Sequence, residues 1–144
     1  MAVTTKWFGK ALLAAFNKEV DWNSDTIKIA LVTSSYTFDQ DAHDYFNDIT
    51  NEVSGTGYIA GGQTLTSCTA TYDGPSNTLT LDAADPSWAT STITARGAVV
   101  YVSTGTSSTS PLLAFIDFGA DVISSGAAFT ITLAGTGLLT ITAA

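Results

Sequence analysis

Basic side chains are scarce in this chain, and all but one lie near its start. The 144 residues carry five Lys and Arg against thirteen Asp and Glu, a net charge of −8. Lys6, Lys10, Lys18 and Lys28 come early, and only Arg96 follows. Binding a phosphate backbone takes clustered cations that displace its counterions. The composition therefore argues against nucleic acid as a partner, apart from weak contacts near the N-terminus. The same shortage disfavours anionic membrane surfaces. Cysteine occurs once, as Cys68, so no disulfide closes within the chain. A lone Cys in a strand reads as a small buried hydrophobe. Histidine also occurs once, as His43, among Asp39, Asp41 and Asp44. Nothing ties it to Cys68, and a nucleophile needs a positioned base. No apolar run approaches the ~20 residues of a membrane span. Trp7-Phe8-Gly9-Lys10 interrupts any apolar stretch of the kind a secretory leader needs. These features predict a soluble protein made in a cytoplasm.

Charged residues of both signs make up 12% of the chain, about half the usual ~25%. The polar surface must then come from Ser, Thr and Asn, and β-branched Thr suits strands. The length predicts one domain, residues 1–144, large enough for a real core. Within it, residues 1–22 read as an N-terminal helix or arm and 23–144 as a β domain. Thr4 to Val20 is the helical stretch, with Phe8, Leu12, Ala15 and Phe16 at helical spacing. Thr4 or Thr5 is placed to cap it, and Asp21 to Asp25 ends it. Its apolar stripe either packs on the sheet or docks in a neighbouring subunit's groove.

Thr26 to Thr33 reads as a strand, followed by an acidic stretch from Ser34 to Glu52 with a short helical turn between His43 and Ile49. Short strands are expected at Tyr58 to Ala60 and Thr64 to Tyr72. Asp73-Gly74-Pro75-Ser76-Asn77 is a strong hairpin turn between two alternating runs. Thr92 to Val102 and Leu112 to Phe118 are the most apolar strands, and within them Val99 to Val102 and Leu112 to Ile116 have little alternation, as strands buried on both faces do. A further hairpin is expected through Ala134-Gly135-Thr136-Gly137, between the Phe129 to Leu133 and Leu139 to Ile141 runs. The fold class is mainly β, a sandwich or barrel of short, mostly antiparallel strands, with one N-terminal α-helix.

Chemistry is thin. Gly55-Thr56-Gly57 and Gly61-Gly62 lack the lysine and the helix of a phosphate loop. Asp39, Asp41 and Asp44 lack the glycine and terminal glutamate of a calcium loop, so they read as solvated loop charge. No nucleophile–base pair stands out, and no catalytic residue, cofactor or metal is expected. Tyr36, Tyr58, Tyr72 and Trp88 invite a carbohydrate-binding alternative, because aromatic faces stack on ligands.

Several stretches carry a likeness: Ile27 to Tyr36, Asp39 to Phe46, Asn51 to Tyr58, Thr92 to Arg96, and Ser110-Pro111-Leu112-Leu113 on to Asp117-Phe118-Gly119. Together they cover most of the chain from about Lys6 and resemble a small family of tailed-bacteriophage virion structural proteins. The likeness is greatest to head decoration, or cement, proteins. That resemblance implies a place on the capsid exterior, with the major capsid protein as partner, and a homo-oligomer, with a trimer favoured. A tail, neck or fibre component is the alternative within the same class. Lys6, Lys10 and Lys18 could meet an acidic capsid surface. Trp7, Phe8, Leu12 and Phe16 could supply the apolar anchor, as aromatic residues often do at interfaces. The residues marked for a subunit interface are thus Lys6, Trp7, Phe8, Lys10, Leu12 and Phe16. The apolar end, Thr136 to Ala144, departs from an exposed tail and implies pairing with another chain.

Overall fold

The computed structural model describes residues 3–143. It is mainly β, with two antiparallel sheets and one short helix near the N-terminus, as a β sandwich requires. The larger sheet takes β1 (Thr4–Trp7), β2 (Ile27–Val32), β3 (Gln63–Thr64), β6 (Ser87–Val102) and β7 (Leu112–Thr130). The smaller takes β4 (Thr69–Asp73), β5 (Thr78–Asp82) and β8 (Leu139–Thr142). Strand order is β1-β7-β6-β2-β3 in the first and β4-β5-β8 in the second. Helix α1 spans Ala11–Phe16.

β6 and β7 form the spine, a long hairpin joined by the polar 103–111 loop. Val99, Val100, Leu113 and Ala114 are buried there, together with Ile29 and Leu31 of β2. These are the runs without alternation, and the structure buries them on both faces. Near Asp117 the pairing slips: Gly97 faces Asp117, but Ala95 faces Val122. The extra residues of β7 form a bulge that includes Gly119 at φ 79. Bulges of this kind bend a strand and raise its twist. One continuous hydrophobic cluster then runs from β2, β6 and β7 to Leu138 and Leu139 at the smaller sheet.

Several expectations are corrected by the structure. The helix does not begin at Thr4, because Thr4 to Trp7 pair with Asp117 to Ala114 as the edge strand β1. Thr4, Thr5 and Trp7 fit a pleated surface, and Gly9 weakens any helix through it. An amino acid with a Cβ at Gly9 would press on the Gln40 carbonyl oxygen at 3.0 Å. Residues 1–22 are therefore no detachable arm over the described part: they supply a strand and the fully buried Phe8. The hairpin at Ala134 to Gly137 is also absent. The Phe129 run belongs to the end of β7, whereas Leu139 to Thr142 pair with Leu81 to Thr78 of β5. The same pairing gives the C-terminal strand a partner within the chain along one side, and β8 is the edge strand of the smaller sheet. Tyr58 to Ala60 forms no strand. The hairpin over Asp73 to Asn77 is present, joining β4 to β5.

Candidate interaction surface

The N-terminal segment is pinned before it reaches the surface. The Phe8 N–H donates to the Leu113 carbonyl at 3.0 Å and the Gly9 N–H to the Gln40 carbonyl at 2.8 Å. The Gln40 Nε2 donates back to the Trp7 carbonyl at 2.8 Å. The Phe8 ring lies 5.1 Å from Phe38, centroid to centroid, inside an aromatic cluster with His43, Tyr36 and Phe115. Burial raises the Tyr36 phenol well above its ordinary value, and its hydroxyl shares a 2.9 Å hydrogen bond with His43 Nδ1.

Helix α1 follows and turns an unexpected face inward. Ala11 and Ala14 are its buried residues. Small residues three apart let the helix approach the sheet closely, and the larger side chains are left outside. Leu12 is 38% exposed, Leu13 59% and Phe16 86%. The three lie one, three and four positions apart, so they share a face. The helix then stops in a Schellman motif. The Glu19 N–H donates to the Ala14 carbonyl and the Lys18 N–H to the Ala15 carbonyl. Lys18 takes φ 64 at the position where glycine is usual.

Charged groups border this knob. Lys10 Nζ reaches Asp44 Oδ2 at 3.0 Å, a partly exposed pair of small energetic weight. The Tyr45 hydroxyl donates to Glu19 Oε2 at 3.0 Å, and that bond holds the exposed phenol above its ordinary value. Lys10, Leu13, Asn17, Glu19 and Tyr45 line a shallow hollow of about 150 Å³ beside the helix.

The six marked residues thus separate. Leu12 and Phe16 are outward, Lys6 is exposed with its Nζ 5.7 Å over the Phe38 ring, and Lys10 is paired. Trp7 is half-buried, and its Nε1 donates to the Thr140 carbonyl at 3.2 Å. Phe8 belongs to the core. Leu13 was missed, and the Ala11/Ala14 pair is the signal that would have exposed it.

The acidic loop is occupied with its own backbone. Asp39 Oδ1 accepts from the Asp41 and Ala42 N–H groups, and Asp48 Oδ2 from those of Asp44 and Tyr45. Backbone N–H donors hold the Asp39 carboxyl below the ordinary range. Among the described residues no three His, Cys, Asp or Glu groups gather as metal ligands would. The aromatics do not form a platform either. Trp88 is 6% exposed, 5.9 Å from both Tyr58 and Phe129, and Tyr36 is buried. Tyr72 alone of the four is well exposed. Comparison with known protein families, curated sequences and solved structures finds no match to this chain.

Proposed function

We propose that this chain is a virion structural subunit of a tailed bacteriophage. It sits on the capsid exterior as a decoration, or cement, protein and has no catalytic role. The observation that carries the reading is the α1 knob. Leu12, Leu13 and Phe16 stand out together from a helix anchored to the sheet through Ala11 and Ala14. Exposed apolar groups clustered on an otherwise polar surface mark interaction sites. Phe16 is the aromatic of the cluster, and aromatic residues are enriched at the cores of protein interfaces.

The resemblance of the stretches named above supplies the choice of partner, the major capsid protein. The acidic balance of the chain agrees with a place away from packed DNA. A clamp of this kind works by adding interface area across subunit boundaries, and repeated seating multiplies weak contacts. Because Phe8 and β1 are integral to the fold, point substitutions test the idea better than truncation. Phe16→Asp with Leu13→Asp should keep the circular dichroism of the parent and abolish binding to heads that lack the protein. Normal binding by that variant would refute the knob.

Immunogold labelling of intact virions with an antibody against this chain tests the location. Dense labelling over the head supports the proposal. Labelling confined to tail or neck replaces it with a tail component, and absence of label rejects a surface-exposed role.

A further inference from the structure

The distal hairpin carries a polar hollow on its exposed face. Thr94 faces Ile123 and Thr92 faces Ser125 across β6 and β7, so these four side chains share one side of the sheet. The 52–57 segment forms the wall: Glu52 bridges to Val32 and Thr56 to Thr92. At Gly57, φ 82, any Cβ would collide with the Thr90 carbonyl oxygen, so glycine is what lets this wall lie against β6. The resulting hollow of about 440 Å³ is lined by Glu52, Ser54, Thr92, Thr94 and Ser125 among others, with Ile123 72% exposed beside them. Glu52 is the one charged residue in that described lining.

The Glu52 carboxylate is half-buried and held in place by neutral donors. Its Oε1 accepts from the Tyr58 hydroxyl and from the Gly61 N–H, each at 2.6 Å. The Tyr58 oxygen in turn accepts from the Leu31 N–H of β2 at 2.9 Å. Burial first, and the Glu52 bond next, hold the Tyr58 phenol far above its ordinary value, so it stays a donor. Among the described residues no ion pair involves Glu52 and no hydrogen bond reaches its Oε2. A fixed carboxylate without a cation thus borders a hollow of hydroxyls and one exposed isoleucine.

We infer that this hollow receives a lysine side chain of a partner protein, with the ammonium on Glu52 Oε2 and the aliphatic stem along Ile123. Hydrogen bonding selects lysine over arginine. A guanidinium fork takes both carboxylate oxygens, and Oε1 already accepts twice. An ammonium is a compact charge with three rotatable donors; one meets Oε2, and the Ser and Thr hydroxyls accept the others. A lysine stem covers apolar surface while its head stays in a polar setting, and Ile123 supplies that surface. Charge selects the partner: a chain of net charge −8 draws basic surfaces toward it and repels a second copy of itself. The hollow shares no described lining residue with α1, and the inference does not rest on the virion reading.

The probe is n-butylammonium, which carries the head and stem of lysine. Amide NMR shifts of the isotopically labelled full chain read its binding at constant ionic strength. Titration to about 50 mM covers the weak affinities that so small a ligand reaches. Saturable shifts are expected at the amides of Ser54, Thr94, Ile123 and Ser125. n-Butylguanidinium should bind more weakly, and n-butanol should leave these amides unmoved. Glu52→Gln keeps an oxygen for Tyr58 and Gly61 and should weaken the amine about tenfold, as loss of a charged hydrogen bond does. Asp41→Asn removes the same charge from the acidic loop and should leave the affinity as it was. Ile123→Ser, at an exposed position, should weaken butylammonium and spare methylammonium; it tests the hollow even where Glu52→Gln fails to fold. An absence of saturable shifts, shifts spread over all surface carboxylates, or an affinity that survives Glu52→Gln or Ile123→Ser overturns the inference. Tighter binding of the guanidinium overturns the choice of lysine.

Discussion

The loop-proximal half of the β6–β7 hairpin and its distal half share two strands and differ in almost everything else. Near the loop, Gly97 to Val102 and Leu112 to Ile116 are buried, flanked by β2 on one side and β1 on the other. Beyond the bulge, buried and exposed residues alternate from Thr90 to Ala95, and beyond Asp117 the described residues pair β7 with β6 alone. One half is core and the other is surface. Length alone does not protect a strand; its neighbours do. Asp117 sits at the junction, where its Oδ1 accepts from the Gly119 N–H at 2.8 Å and Arg96 Nε at 3.2 Å.

The comparison breaks most sharply under truncation of side chains. Leu113→Ala should cost about 2–5 kcal/mol, because it removes a fully buried side chain from a packed core. Thr94→Ala, on the exposed face of the distal half, should stay within about 0.5 kcal/mol. Urea denaturation of both variants checks the contrast, and equal losses would mean that the halves are equally packed. Gly→Ala gives a second contrast. At Gly97 a new Cβ would meet the Ile116 carbonyl oxygen at 2.7 Å, so about 1–3 kcal/mol should be lost. At Gly126 the space is open and only the positive φ resists, at a cost of about 1 kcal/mol. Thermal melts of the two variants should rank them in that order.

The distal half keeps one polar feature of its own. Ser91 and Ser124 are buried and share a hydrogen bond at 2.7 Å. Ser91→Ala should cost about 1–3 kcal/mol by leaving Ser124 without that partner. Replacing both should cost less than the two single changes summed, which a double-mutant cycle would read. A small effect is expected at the junction. The Gly119 N–H first, and Arg96 next, hold the Asp117 carboxyl below its ordinary 3.8. Folding thus favours its ionised form. That stability is present above the unfolded-state value and disappears as pH falls through the folded one. Both partners are more than one third exposed, so solvent screening limits the gain to under about 1 kcal/mol. Asp117→Asn should flatten the acid limb of stability measured between pH 5 and pH 2 by about that amount, and an unchanged limb would remove Asp117 from the account.

Much of the fold was legible in the residues themselves. The unalternating runs around Val100 and Leu113 announced strands with both faces covered, and Asp73 to Asn77 announced a hairpin. These signals are local: turn chemistry acts within a few residues, and burial pattern within one strand. The β-rich class follows from them and from the wealth of Thr. The site was less legible. Leu12 and Phe16 were marked, but beside Trp7, which is half-buried, and Phe8, which is core. Helical spacing says which residues share a face and is silent on which face meets the sheet. That was decided by two alanines, whose small side chains let α1 lie against the fold. Thr4 to Trp7 became a strand for a similar reason. A free edge of β7 was there to receive it, and a free edge is a property of the assembled sheet. The pairing of Leu139 to Thr142 with β5 likewise depended on a strand some sixty residues earlier in the chain. Local composition thus determined which stretches could be strands. Only tertiary structure decided which edges were filled, because an unpaired backbone group is satisfied by whatever strand geometry brings within reach.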